Sequence, residues 1–267
     1  MKMSDDLLYE KKDGIATVTL NRPEARNALS PDMREGLFQS FIDAESDDTI
    51  RCVVVRGEGE HFQAGGDVKA FNEFVKLSPK EREQTFERRI HGLHPTIFAM
   101  QRMPKPIIAS VRGGAAGFGL SLMMASDMVI ASEDAFITLA YINIGTTPDG
   151  SGTYTLPRIV GLKKAMEIAM LGDRIKAAEA RDLGLINFVV PTGELEAETA
   201  KLAKRLANGP TVAIGRTKQL LNASLGNTLE TQLSLEAQGF AFCAASDDWA
   251  EGVQAFKEKR KPDYKGK

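Results

Sequence analysis

Gln63-Ala64-Gly65-Gly66-Asp67-Val68 and Arg112-Gly113-Gly114-Ala115-Ala116-Gly117-Phe118-Gly119-Leu120-Ser121 are the two stretches that decide how this chain is read. Each follows a short apolar run, Val53-Val54-Val55 or Ile107-Ile108-Ala109. Each is nearly bare of side chains where a strand is expected to turn into a helix. Such a turn leaves free backbone N–H groups at a helix N-terminus, and small residues let a ligand come close to them. Two such ends facing one point would hold an oxygen that gains negative charge during a reaction. One glycine-rich turn alone is explained by tight strand–helix packing. Two together point to a site.

The text around them alternates strand and helix. Ile15 to Leu20 carries β-branched residues in alternation and reads as a strand. Ser30-Pro31 is a helix start, with Ser as N-cap and Pro in the first turn, and the helix runs to about Glu45. Cys52 to Arg56 reads as a buried strand. Positions 68–103 read as helix broken in the middle. Pro106 to Val111 is a further strand, and the second glycine turn opens a helix to about Ser126. Met128 to Ala131 and Ala135 to Thr138 are short strands. Gly161 to Leu171 has helical spacing and stops at Gly172. Ala177 to Leu183 is a short helix and Phe188 to Val190 a last strand. Beyond Pro191 the chain is nearly all helix, punctuated at Gly209-Pro210 and Gly226-Asn227. The order predicts an α/β core over 1–191 and a helical region over 192–267.

Bulk properties bound the function. The 267 residues can bury a sizeable core, and 43% apolar with 26% charged residues is ordinary for a globular protein. A net charge of −2 gives no reason to expect nucleic acid. No run of about 18 apolar residues is present, so no membrane span is expected. Met1 to Asp6 lacks an apolar signal core, which favours the cytoplasm over secretion. Cys52 and Cys243 lie among apolar residues and are expected as buried thiols, not a disulfide. His91 and His94 have no Cys, His or Asp cluster around them, so no metal site is expected.

The same residues carry a family resemblance. Thr19-Leu20-Asn21-Arg22-Pro23-Glu24-Ala25-Arg26-Asn27-Ala28-Leu29-Ser30, the two glycine turns, Ile144-Gly145-Thr146-Thr147-Pro148-Asp149-Gly150-Ser151-Gly152, Leu156-Pro157-Arg158-Ile159-Val160-Gly161 and Glu251 to Arg260 resemble the crotonase, or enoyl-CoA hydratase/isomerase, superfamily. The resemblance covers nearly the whole chain. It implies a crotonase-like spiral of β-β-α units with a helical C-terminal part that packs into trimers or dimers of trimers. It also implies an acyl-CoA substrate, with coenzyme A as part of the substrate and no separate cofactor, metal or nicotinamide. By motif position the backbone N–H groups of Gly66 and Phe118 would bind the thioester oxygen. Arg26, Ala28, Ala64, Asp67 and Val68 would line the coenzyme A cleft, with Lys69 or Arg26 near phosphate. Phe256 and Lys259, the Phe-x-x-Lys pattern, would reach a neighbouring subunit's site, although a solvated charged tail explains the same residues.

The chain departs from the family hydratases where it matters. Their two glutamates fall on Ser121 and Tyr141, neither of which activates water or protonates carbon at an ordinary pKa. Asp149 is the carboxylate left in the neighbourhood. The pattern is similar to the 1,2-epoxyphenylacetyl-CoA isomerase-like branch, where an Asp at this place shuttles a proton between acyl carbons. In the related 4-chlorobenzoyl-CoA dehalogenases an Asp there is a nucleophile, with partners matching His94 and Tyr141, but the bulky aromatic at the position of Gly66 is missing here. Pro-Asp-Gly is also ordinary turn chemistry. His94 precedes Pro95 and either points into the pocket or caps a helix turn. Tyr141 packs on the acyl group, supplies a hydroxyl or sits in the core. Three functions follow from the resemblance: an enoyl-CoA double-bond or ring isomerase, an aryl- or acyl-CoA hydrolase or dehalogenase, and an acyl-CoA-binding paralogue without catalysis.

Overall fold

The computed structural model describes residues 4–267. Six strands form one sheet: β1 (Leu7–Lys12), β2 (Ile15–Leu20), β3 (Cys52–Gly57), β4 (Ile107–Val111), β6 (Met128–Ser132) and β9 (Phe188–Val190), in the order β1-β2-β3-β4-β6-β9. Within this sheet β1 and β2 pair antiparallel, and β2, β3, β4, β6 and β9 pair parallel. A second sheet holds β5 (Gly114–Ala116), β7 (Phe136–Thr138) and β8 (Ile175–Lys176), in the order β5-β7-β8.

The chain reaches this arrangement by winding. After β3 it lays Gln63 beside Ala115, then enters α2 (Val68–Phe71). After β4 it lays β5 beside β7, then enters α5 (Phe118–Ala125). After β6 it lays β7, then a short 3-10 turn at Ala140–Ile144. Each circuit therefore gives one strand to the large sheet, one extended segment to the small sheet and a helical segment. This is the expected spiral of β-β-α units, and both glycine turns lie at the step from the second strand to the helix.

Both faces of the parallel sheet are covered, so its strands read as continuous apolar runs. Successive side chains leave opposite faces. Val53, Val55, Ile107 and Ala109 join the main core with Met33, Leu37 and Phe41 of α1 (Pro31–Ser46) and Ile97 and Met100 of α4 (His94–Arg102). Cys52, Val54, Ile108 and Ile130 face the other way and meet Leu195, Ala203 and Ala207 of α9 (Leu195–Ala207). Ser30 caps α1, accepting a hydrogen bond from Met33 N at 3.0 Å. The remaining helices are α3 (Pro79–His91), α6 (Gly152–Val160), α7 (Leu162–Leu171), α8 (Ala177–Asp182), α10 (Thr211–Ser224), α11 (Leu229–Ala244) and α12 (Asp247–Glu258).

Several sequence expectations change. The 68–103 stretch is three α-helices and a 3-10 turn, interrupted over 72–78 and again at Gly92-Leu93. Ser78 and Glu81 form a capping box that starts α3, a local signal the helical reading passed over. His94 is the first residue of α4 despite the following Pro95, because Pro is tolerated in a helix's first turn. The second glycine stretch passes through β5 before its helix; the helix expected after the Asp149 turn forms as α6, while β1 and β8 go beyond the sequence reading. Cys52 is buried, but Cys243 is only half-buried on α11. Among the described residues, no helix is long and apolar enough to cross a membrane, and no group of three His, Cys, Asp or Glu side chains is assembled.

The helical region is tied to the core by an ion pair whose lysine is buried and whose aspartate reaches solvent. Lys218 of α10 donates to Asp127 Oδ2 at 2.8 Å and to the Met100 carbonyl at 2.7 Å, and Asp127 also accepts from Ile107 N. Removing the aspartate leaves the Lys218 charge buried and uncompensated. Asp127→Ala is expected to lower the unfolding free energy by about 3–5 kcal/mol, measured by chemical denaturation at fixed protein concentration.

Candidate active site

The two glycine turns lie against each other through backbone alone. Phe62 N donates to Arg112 O, Gln63 N to Gly114 O, and Ala116 N to Gln63 O, at 2.8–3.1 Å. Gly65 has φ +92°, and a Cβ there would stand 3.1 Å from Ala116 O and 3.6 Å from Phe118 N. Gly117 has φ +53°, and a Cβ there would stand 3.5 Å from Gly65 Cα. Any side chain at either position would wedge the turns apart or force a backbone that L-residues rarely adopt.

Gln63 fixes the first turn. Its buried side chain accepts from Gly65 N at 2.7 Å and donates to Gly65 O at 3.0 Å, so it occupies both backbone groups of that residue. The Gly66 N–H and the Phe118 N–H have no hydrogen-bond acceptor among the described residues. Phe118 is the first residue of α5, where an unpaired N–H is expected. Two unpaired donors in contacting turns can hold one developing oxyanion. The helix after Gly66 is a single turn, so the donor itself, not a long helix dipole, is what that side provides.

Asp149 stands beside the second turn. Tyr141 donates its hydroxyl to Asp149 Oδ1 at 2.6 Å. Ser121 Oγ donates to the Asp149 carbonyl at 2.8 Å. A Cβ on Gly150 would stand 2.8 Å from the Phe118 ring, and one on Gly117 would stand 3.8 Å from the Tyr141 ring. Burial pushes the Asp149 carboxyl above the ordinary carboxylate range; the Tyr141 hydrogen bond and the His94 charge pull it back down. Burial, then the Asp149 charge, pushes the Tyr141 phenol up, so Tyr141 stays a donor at neutral pH. His94 is half-buried, lies within electrostatic reach of Asp149, and packs its ring on His91 and Phe98.

The predicted coenzyme A residues are partly brought together. Ala64 N donates to Arg26 O at 3.0 Å and Leu29 N to Gly65 O at 2.8 Å, so 26–29 runs beside 64–66. Asp67 caps α2 and pairs with Arg22 at 3.2 Å, while Arg22 also donates to Ala28 O. Arg26 and Val68 are exposed, and Ala28 is buried. Phe256 stands elsewhere on α12, 86% exposed in a groove shared with Trp249 and Tyr264, and Lys259 is that helix's C-cap.

Sequence reasoning assigned no role to Gln63, Ser121, Arg22 or Asn27. Asn27, at φ +57°, donates to the carbonyls of Glu58 and His61 and accepts from Arg22 N, which clamps the entry to the first turn. A buried amide ahead of two glycines was the available signal for Gln63. Ser121 was read as the loss of a glutamate, and its bond to the Asp149 turn is a tertiary contact with no local signature.

The comparisons agree with this geometry. A family model described as enoyl-CoA hydratase/isomerase matches residues 10–267. The 1,2-epoxyphenylacetyl-CoA isomerase of Escherichia coli is 37% identical over 265 residues, covering 99% of this chain and 100% of the relative. The short-chain-enoyl-CoA hydratase of Clostridium acetobutylicum is 32% identical over 260 residues, covering 96% of each. The crystal structure of an enoyl-CoA hydratase from a Polaromonas species superposes with a TM-score of 0.90 at 35% identity, over 97% of this chain and 99% of that one. The chain has the crotonase fold and belongs to the enoyl-CoA hydratase/isomerase family of enzymes acting on acyl-CoA thioesters.

Proposed function

We propose that the protein isomerises a double bond or ring in an enoyl-CoA. Gly66 and Phe118 N–H groups hold the thioester oxygen, and Asp149 moves a proton between acyl carbons. Abstracting a proton next to a thioester places the charge on that oxygen, where a single preorganised donor is worth about 2.7–4 kcal/mol. The observation that carries the reading is the Tyr141–Asp149 bond. It ties Oδ1, leaves Oδ2 available as base and then acid, and fixes the carboxyl beside the Phe118 turn. Similarity to both an isomerase and a hydratase agrees with the family and does not choose the reaction; the residues at 121 and 141 favour isomerisation.

The position of His94 supports a second reading, in which Asp149 attacks an acyl group and His94 activates water. A single turnover in heavy-oxygen water separates the two, because a nucleophilic Asp149 gains label on hydrolysis and a proton shuttle does not.

Copies of the chain assemble in this proposal as a trimer or dimer of trimers. Helix α11 has 16 residues and buries none of them, while exposing Leu229, Leu233, Phe240 and Phe242. An apolar face of this kind marks an interaction surface. Leu233→Asp with Phe240→Asp is expected to give a smaller species in analytical ultracentrifugation.

Asp149→Asn is expected to lower turnover about 10²–10⁴-fold, with loss of deuterium uptake at the acyl carbons when enoyl-CoAs are incubated in heavy water and read by mass spectrometry. Full retention of both would remove Asp149 from the reaction. Tyr141→Phe deletes a hydrogen bond that favours the carboxylate, so the Asp149 pKa rises. The acidic limb of kcat/KM is expected to move up by about one to two pH units. An unchanged or downward-shifted limb would show that the bond does not tune the base.

A further inference from the structure

The half of the molecule that faces Gly66 holds a cation without a counter-ion. A Cβ at Gly66 would meet Phe71 Cζ at 2.7 Å, so the Phe71 ring lies directly on that turn. Phe71, Phe74 and Phe86 pack edge to face, with centroids 5.1 Å apart for Phe71–Phe86 and 5.4 Å for Phe74–Phe86. The Arg89 guanidinium carbon stands 5.0 Å from the Phe74 centroid and 5.9 Å from the Phe71 centroid. Arg89 is half-buried and has no hydrogen-bond or ion-pair partner among the described residues. The charged group it feels is Arg34, of the same sign; burial first, then Arg34, lowers its pKa. Glu87, two positions earlier, lies 3.8 Å from His91 instead.

Cation–π contact offsets part of the cost of burying the guanidinium, but a half-buried cation that feels a second positive charge and has no counter-ion still favours an anion. A planar guanidinium is matched by a carboxylate through two parallel hydrogen bonds. The order of groups leading away from Gly66 is amide donor, aromatic faces, cation. An acyl chain with a thioester oxygen at one end, an apolar middle and an anion at the other presents the complementary order.

We propose that Arg89, seated over Phe71 and Phe74 and backed by Arg34, is a subsite for the far end of the acyl group, and that the preferred substrates are acyl-CoAs ending in a carboxylate. This rests on the acyl-CoA reading above. Upstream chemistry must then supply a dicarboxylic acid activated at one end only.

Calorimetry tests it with saturated ligands that need no turnover. Glutaryl-, adipoyl- and suberoyl-CoA are compared with pentanoyl-, hexanoyl- and octanoyl-CoA on the native enzyme, Arg89→Met and Arg89→Lys. The native enzyme is expected to bind at least one diacid about tenfold or more tighter than its methyl-ended match. Arg89→Met removes that preference by weakening the diacid alone, and Arg89→Lys retains part of it. Equal binding of each pair by the native enzyme overturns the proposal without need of any variant. Equal loss of both ligand classes in Arg89→Met also overturns it, since Arg89 then meets a coenzyme A phosphate. Deuterium exchange at the α-carbon of the same ligands separates the two readings. Selectivity without exchange keeps the subsite and sinks the proposed chemistry; exchange without selectivity does the reverse; no binding of any acyl-CoA sinks both.

Discussion

Everything in the proposed site depends on two stretches of backbone, 63–66 and 114–118, touching with no side chain between them. The hydrogen bonds that join them lie at the step where each circuit of the spiral leaves the small sheet. A main-chain contact of this kind leaves two N–H groups over, one on each stretch, because their sheet partners have run out and their helices have only begun. The donors themselves are therefore main-chain groups, and the side chains of Gln63 and Asn27 only hold the turns that present them. That is why Phe is acceptable at 118 and why the supporting residues, Gln63 and Asn27, act on carbonyls and amides. It also explains how one scaffold carries different reactions: the oxyanion part is built into the winding, and the proton-handling part hangs from separate turns.

In this chain the proton-handling part has been rebuilt. A hydratase pair of glutamates would project from 121 and 141. Instead Ser121 lies under the 149–152 turn, with Cβ positions on Gly150 and Gly152 within about 3 Å of it. The small hydroxyl that replaces the carboxylate lets that turn come down and holds its carbonyl. Tyr141 then reaches the Asp149 carboxyl from the other side. The three positions form one linked change. A glutamate at 121 would crowd the turn that Ser121 supports.

Much of this was legible in the sequence, and the limits follow from range. Ser30-Pro31, the valine run of β3 and the glycine after α7 are local signals, and the elements formed where they indicated. The 68–103 stretch misled because its polar and apolar residues serve an aromatic cluster and a half-exposed helix, not one continuous face; α3 buries no residue. Strand β5 hides inside a run of glycine and alanine with no β-branched residue, and it exists because β7 and Gln63 offer partners. The motif positions Gly66, Phe118, Asp149, Tyr141 and His94 came together in space. Their tuning did not show, since Tyr141 to Asp149 and Ser121 to Asp149 are contacts between segments that have no shared pattern.

That tuning sets what Asp149 can do. A carboxyl that shuttles protons between carbons works best when it is neither firmly ionised nor firmly protonated at working pH. Burial alone would drive it toward the protonated state, in which it could not begin by taking a proton. The Tyr141 hydroxyl, then the His94 charge, oppose burial and take back part of that rise. A shared hydrogen bond is well suited to this, because its hold on the anion weakens as the proton arrives and Tyr141, with its own ionisation suppressed by the same burial, does not compete for it. In the proposed reaction, the aromatic residue at the position of a hydratase glutamate is the group that lets Asp149 serve as both base and acid.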